Sequence, residues 1–84
     1  MHHGNLIRMA NQIGHFFESM PDHDAALRGI AKHLRNFWDP RMRSAFLLLL
    51  QGPQANDVSS IVRQAMEQYG HTLSQAADGN APAG

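Results

Sequence analysis

Cysteine is absent from this chain of 84 residues, which excludes disulfides, thiolate nucleophiles and cysteine-held iron–sulfur clusters. A chain this short buries only roughly 60–65% of the surface that its unfolded form exposes. Without disulfides it depends on a tightly packed core, a metal or a partner. An excess of one charge is also lacking, since seven Lys and Arg balance seven Asp and Glu. Proteins whose main task is to hold nucleic acid normally carry a strong basic excess. Long apolar runs are missing as well. The first residues lack the apolar stretch of roughly 7–15 residues of a secretory signal. The longest run, Ala45 to Leu50, falls far short of the ~18 residues that suggest a membrane span. The expectation is a soluble, cytoplasmic protein with neither membrane nor nucleic acid as its partner.

The usual marks of catalysis are equally scarce. Of the six histidines, His2 and His3 are adjacent, while His15, His23, His33 and His71 are isolated. None has the i, i+4 spacing that brings two ligands to one ion on a helix. No serine lies in a Gly-x-Ser-x-Gly turn, and the seven glycines form no phosphate-cradling loop. The acidic stretch Asp22-His23-Asp24 sits where a helix start favours negative charge, so capping is its better reading. This leaves no catalytic residue, no cofactor-binding residue and no metal ligand to nominate.

What the chain does have is helical periodicity. Leu6, Met9, Ala10, Ile13, Phe16, Phe17 and Met20 recur at three- and four-residue steps, with Asn5 as the expected N-cap. Ala10 and Gly14, four apart at the edge of that stripe, permit close approach of a second helix. Pro21 ends the pattern. A second helix starts near Asp22 or Asp24 and carries Leu27, Ile30, Ala31, Leu34 and either Phe37 or Trp38 on its apolar face. Asp39-Pro40 then closes one helix and caps the next, because proline suits the first helical position and aspartate the N-cap. The third helix, Pro40 to about Gln51, holds Phe46, Leu47, Leu48, Leu49 and Leu50 in succession and is therefore apolar nearly all round. A small bundle cannot bury all of that circumference, so some of these leucines are expected to meet another polypeptide. After Gly52-Pro53, Asp57 is the expected cap of a fourth helix bearing Val58, Ile61, Val62, Ala65 and Tyr69, with Gly70 at its C′ position. The resulting picture is all-α: a bundle of three to four short helices over residues 1–70, with a flexible, disordered polar tail over 71–84.

The sharpest local feature is the basic-aromatic cluster Lys32, Arg35, Phe37, Trp38, Arg41, Arg43. Trp and Arg are enriched in interface hot spots. A nucleic-acid reading, with arginines on phosphates and Trp38 stacking a base, stands well behind a protein interface at zero net charge. For Phe37 taken alone, a place in the core is favoured, because large aromatics dominate small cores.

Two strings make the chain recognisable. Met9-Ala10-Asn11-Gln12-Ile13 with Phe16-Phe17, and Ile30-x-x-His33-Leu34 leading into Phe37-Trp38-Asp39-Pro40-Arg41-Met42-Arg43, resemble the delta subunit of NAD-dependent formate dehydrogenases. Val58 to Ala65 is similar to that family's closing helix, so the resemblance spans about residues 5–69. It implies a non-catalytic accessory subunit of a cytoplasmic complex that oxidises formate and reduces NAD. In such a complex the catalytic alpha subunit carries a molybdenum (or tungsten) bis-pterin guanine dinucleotide and iron–sulfur clusters. FMN and the NAD site belong to the other subunits, beta and gamma, and the delta subunit holds none of these cofactors. The delta subunit is expected to bind the alpha subunit and support its assembly or stability. The alternative is a transient chaperone that loads cofactor into the apo catalytic subunit and then leaves. The partner-binding residues expected on this reading are Trp38, filling a pocket of the alpha subunit, Arg41 and Arg43, reaching its carboxylates or carbonyls, and Phe37, Leu47, Leu48 and Leu50 beside them.

Overall fold

A computed structural model describes the backbone of residues 3–80 and the side chains of residues 5–73. Four α-helices follow one another: α1 (His3–Phe17), α2 (His23–Phe37), α3 (Pro40–Leu49) and α4 (Ser60–Asn80), with a short 3-10 turn over Pro53–Asp57 between the last two. No strand occurs among the described residues, and the fold is the all-helical bundle that the periodicity predicts.

Helix starts follow local chemistry in two cases. The Asp22 carboxylate accepts the Ala25 N–H at 3.2 Å, and that of Asp39 accepts the Met42 N–H at 3.0 Å with Pro40 in the first turn. Each satisfies one amide that the helix itself leaves without an acceptor. The other two starts depart from expectation. Helix α1 already runs from His3, so Asn5 lies inside it rather than at its cap. Asp57 belongs to the 3-10 turn and does not cap α4. Asn11 of α1 does that work from across the bundle. Its Oδ1 accepts the Ser59 N–H at 2.8 Å and its Nδ2 donates to the Asp57 carbonyl at 3.0 Å.

The core is built from Leu6, Ile7 and Ala10 of α1, Ala26, Leu27, Ile30, Ala31 and Leu34 of α2, Phe46 of α3 and Ile61, Val62, Ala65 and Met66 of α4, with Trp38 and Val58 from the connections. Gly14 lets α1 and α4 close up. A Cβ placed there would stand 2.5 Å from Val62 Cγ2 and 3.1 Å from Ile61 Cγ2. Gly14 thus provides the close approach that the small pair predicts, and Ala10 is fully buried.

Helix α4 corrects the helix end expected at Gly70. Gly70 has no left-handed backbone, and the helix passes through it to Asn80. Leu73, one turn further on, is 1% exposed and belongs to the core. Burial of that leucine carries the helix past the glycine that was read as its stop. The remainder of the expected tail, residues 81–84, lies outside the described residues.

Candidate functional site

Neighbouring aromatics at the end of α2 take opposite places. Phe37 closes the helix and is 73% exposed, whereas Trp38 is 5% exposed. Trp38 has left the helix for an extended backbone (φ −93°, ψ 138°), while its N–H still donates to the Leu34 carbonyl at 3.0 Å. That bend turns the indole inward, edge-on to Phe46 with ring centroids 5.5 Å apart. The core place expected for Phe37 therefore belongs to Trp38, and Trp38 fills a pocket of its own chain. Phe37 instead lies at 4.7 Å from the His33 ring on the outside of α2.

Arg43 is also an internal residue, at 7% exposure. Its Nη1 donates to the Arg35 carbonyl at 3.0 Å. That carbonyl is in the last turn of α2, where acceptors lack helical partners and the helix dipole favours a cation. Arg43 thus caps α2 from α3 instead of projecting outward, while its Nε is buried without a hydrogen-bond partner. Arg41, two positions earlier, is exposed.

The run of leucines divides in a similar way. Phe46 is fully buried, and Leu47, Leu49 and Leu50 are partly buried against the core. Leu48 is 68% exposed. Leu47 and Leu50 line a groove against Met66 and Gly70 of α4, and Leu48 lines another with Ala45, Leu49 and Pro53. The helix that is apolar all round is covered on one side and bare at Leu48.

A surface that the expected residue set only touched lies between α1 and α2. The apolar stripe of α1 is wider than the core it faces. Leu6, Ile7, Ala10 and Gly14 turn inward, while Met9 and, at 71% exposure, Phe16 stay outside. Phe16 packs edge-on against Phe17 at 5.1 Å. With Met9, Gln12, Ile13, His33 and the edge of Trp38 these two rings line a groove. Phe17 reaches across it to α2, where a Cβ on Gly29 would stand 2.5 Å from Phe17 Cε1. The sequence signal was present in the width of the stripe, since seven apolar residues on one short helix exceed what a single neighbour covers.

Polar groups gather on the opposite side of α2. Tyr69 of α4 donates its hydroxyl to Asp24 Oδ1 at 2.7 Å, and Arg28 Nε lies 3.1 Å from Asp24 Oδ2. The hydrogen bond to Asp24 raises the Tyr69 pKa above its ordinary value, with burial and the charge of Asp24 adding to the effect and Arg28 opposing it. His23 Nε2 lies 2.7 Å from Gln64 Oε1, with the ring nitrogen as donor. Among the described residues no three His, Asp or Glu side chains gather closely enough to hold a metal ion. No helix among them is long and apolar enough to cross a membrane. The described side chains therefore offer binding surfaces and structural bonds, and no set of ligands for a metal cofactor.

Comparison with known proteins agrees with the two strings that made the sequence recognisable. The family model of the NADH-dependent formate dehydrogenase delta subunit, FdsD, matches residues 5–66. No curated protein and no solved structure matches significantly. The matched span takes in α1, α2, α3 and the first part of α4, and with it every residue of the groove between α1 and α2. The chain belongs to the FdsD family of formate dehydrogenase delta subunits.

Proposed function

We propose that this chain is a non-catalytic accessory subunit. It binds the molybdenum-containing alpha subunit of a cytoplasmic NAD-dependent formate dehydrogenase and supports its assembly or stability, within a complex that includes beta and gamma subunits. The bis-pterin cofactor, the iron–sulfur clusters and FMN belong to those other subunits. The observation that carries this reading is a pair of uncovered aromatics, one on α1 and one at the end of α2. Phe16 and Phe37 are both more than two-thirds exposed on a chain of the delta-subunit family. Large aromatics left in water favour burial, by about 25 cal/mol per Å² of apolar area removed, and a partner's apolar surface supplies it.

The residues nominated from the sequence divide between two tasks on this reading. Phe37, Arg41 and Leu48 touch the partner. Trp38 and Arg43 hold the α2–α3 corner in shape beneath them, and Leu47 and Leu50 support Leu48 from the groove against α4.

The test is co-purification of the tagged chain from cells that make the whole complex, comparing wild type with Phe16→Ser/Phe37→Ser. Recovery of the cofactor-loaded alpha subunit in fixed ratio with wild type, and its loss with the double variant, is the expected result. Recovery of only the cofactor-free alpha subunit would make the chain a transient loading chaperone. Equal recovery with both chains would remove the groove from the interface.

A further inference from the structure

Five of the seven Lys and Arg residues lie between Arg28 and Arg43, a stretch whose one carboxylate is Asp39. That carboxylate caps α3. A chain of zero net charge therefore has a basic side. Arg28, Lys32 and Arg35 follow at i, i+4 and i+7, so they form one stripe on the outer face of α2. All three are exposed, and Arg28 alone has an acidic partner in Asp24. Among the described residues Lys32 and Arg35 form no ion pair. Like charges at this spacing repel in the free chain, and among the described residues no carboxylate pairs with Lys32 or Arg35.

The stripe is one wall of a groove rather than an isolated row. Arg28, Lys32 and Arg35 face Tyr69 and Thr72 of α4 across a floor formed by Ala31. The polar atoms of the α4 wall are already committed. The Tyr69 hydroxyl donates to Asp24, and the Thr72 hydroxyl donates to the Tyr69 carbonyl at 2.6 Å. The available chemistry in the groove is thus cationic, above a small apolar floor. A second observation lies at the same end of α2. Arg43, more than nine-tenths buried as a residue, binds the Arg35 carbonyl but has no carboxylate partner among the described residues. A buried cation without a counter-ion gains from any anion brought near it.

We propose that the groove between α2 and α4 seats an acidic segment of the protein partner, its carboxylates pairing with Lys32 and Arg35. The inference rests on the accessory-subunit reading above and adds the chemistry of a second contact. The apolar face between α1 and α2 supplies burial, and the basic face supplies register and speed of encounter, as complementary charges at an interface do.

The experiment measures binding of the full chain to a formate dehydrogenase complex purified without its delta subunit. Ionic strength is raised from about 0.01 M to about 1 M, over which the screening length falls from roughly 30 Å to roughly 3 Å. Lys32→Glu/Arg35→Glu is compared with wild type and with Arg8→Glu/Arg63→Glu, which changes net charge equally but elsewhere. The expected result is a loss of about tenfold or more in affinity for the first pair at low salt, with a flatter salt dependence. The second pair is expected to stay near wild type. If Lys32→Glu/Arg35→Glu does not fold, Lys32→Gln/Arg35→Gln replaces it and should lose a smaller part of the affinity in the same direction. Equal losses for the two reversals, or no loss for the first, would overturn the groove while leaving the accessory role intact. Failure of the wild-type chain to bind the complex at any salt would overturn both.

Discussion

Helix α1 meets its two neighbours in different ways. Against α4 it presents Gly14, so the backbones come close, Val62 is fully buried and Asn11 ties down the residues that lead into α4. Against α2 it presents Met9, Ile13, Phe16 and Phe17, and these large side chains line a groove that stays open. Hydrogen bonds follow the same division. Two join Asn11 of α1 to the backbone leading into α4, whereas none among the described side chains joins α1 to α2. Small residues with polar ties make a closed interface, and large apolar ones without ties leave a surface that another molecule can still fill. The distinction predicts different responses to mutation on the two sides.

The largest effect is expected where the open face is held from beneath. Trp38 lines the groove and packs on Phe46, so Trp38→Ala removes the floor of the open side. Truncating a large buried aromatic typically costs about 3–5 kcal/mol, a large share of the stability of a small domain. Urea unfolding of the isolated chain should show that loss. A midpoint like that of wild type, together with lost binding, would return Trp38 to the partner interface.

The contrast between the two faces is sharpest in two glycines. A Cβ at Gly14 meets Val62 Cγ2 at 2.5 Å, and Val62 is β-branched, buried and confined to few rotamers. Overpacking of that kind typically costs about 1–3 kcal/mol, more than the roughly 1 kcal/mol that alanine gains over glycine in a helix. Gly14→Ala is therefore expected to destabilise. At Gly29 the nearest atom is equally close, but it belongs to the ring of Phe17, which is only partly buried beside an open groove. The ring has room to move, so Gly29→Ala should be near neutral or slightly stabilising. Thermal melts of the two single variants compare the faces directly. Equal losses would mean that the groove is as rigid as the closed side.

These two faces also explain which features were legible in the sequence. Local chemistry was readable: the Asp22 and Asp39 caps, Pro40 in the first turn of α3 and the small pair Ala10 and Gly14 need only neighbours along the chain. The family was readable from its strings. The exchange of Phe37 and Trp38 was not, because helical spacing stops predicting direction once the backbone turns extended, which happens between these two residues. Arg43 and Asn11 were opaque for a related reason. Each satisfies backbone groups outside its own helix, and such a partner has no periodic signature. Gly70 misled because a glycine after an apolar stripe usually marks a helix end, and the burial of Leu73 outweighs that signal here. The exposed half of the α1 stripe was visible as surplus apolar residues, although which of them would stay outside depended on how far α2 and α4 reach round the helix.

The smallest effect concerns the polar ties between α2 and α4, and it is separable by pH. The hydrogen bond from Tyr69 to Asp24 exists only while the phenol is protonated, which is why it raises the Tyr69 pKa above the unfolded value. A raised folded-state pKa means that the unfolded chain releases this proton more readily. The contribution of the bond is therefore fully present below the ordinary tyrosine pKa of about 10 and is lost as pH rises through the higher folded-state value. Tyr69→Phe should lower stability slightly near neutral pH. It should also remove part of the further decline that wild type shows in that alkaline range, so the two stability curves converge as pH increases. If they stay parallel across it, the tyrosine contributes through its ring alone, and α4 is held against α2 there by shape rather than by this polar tie.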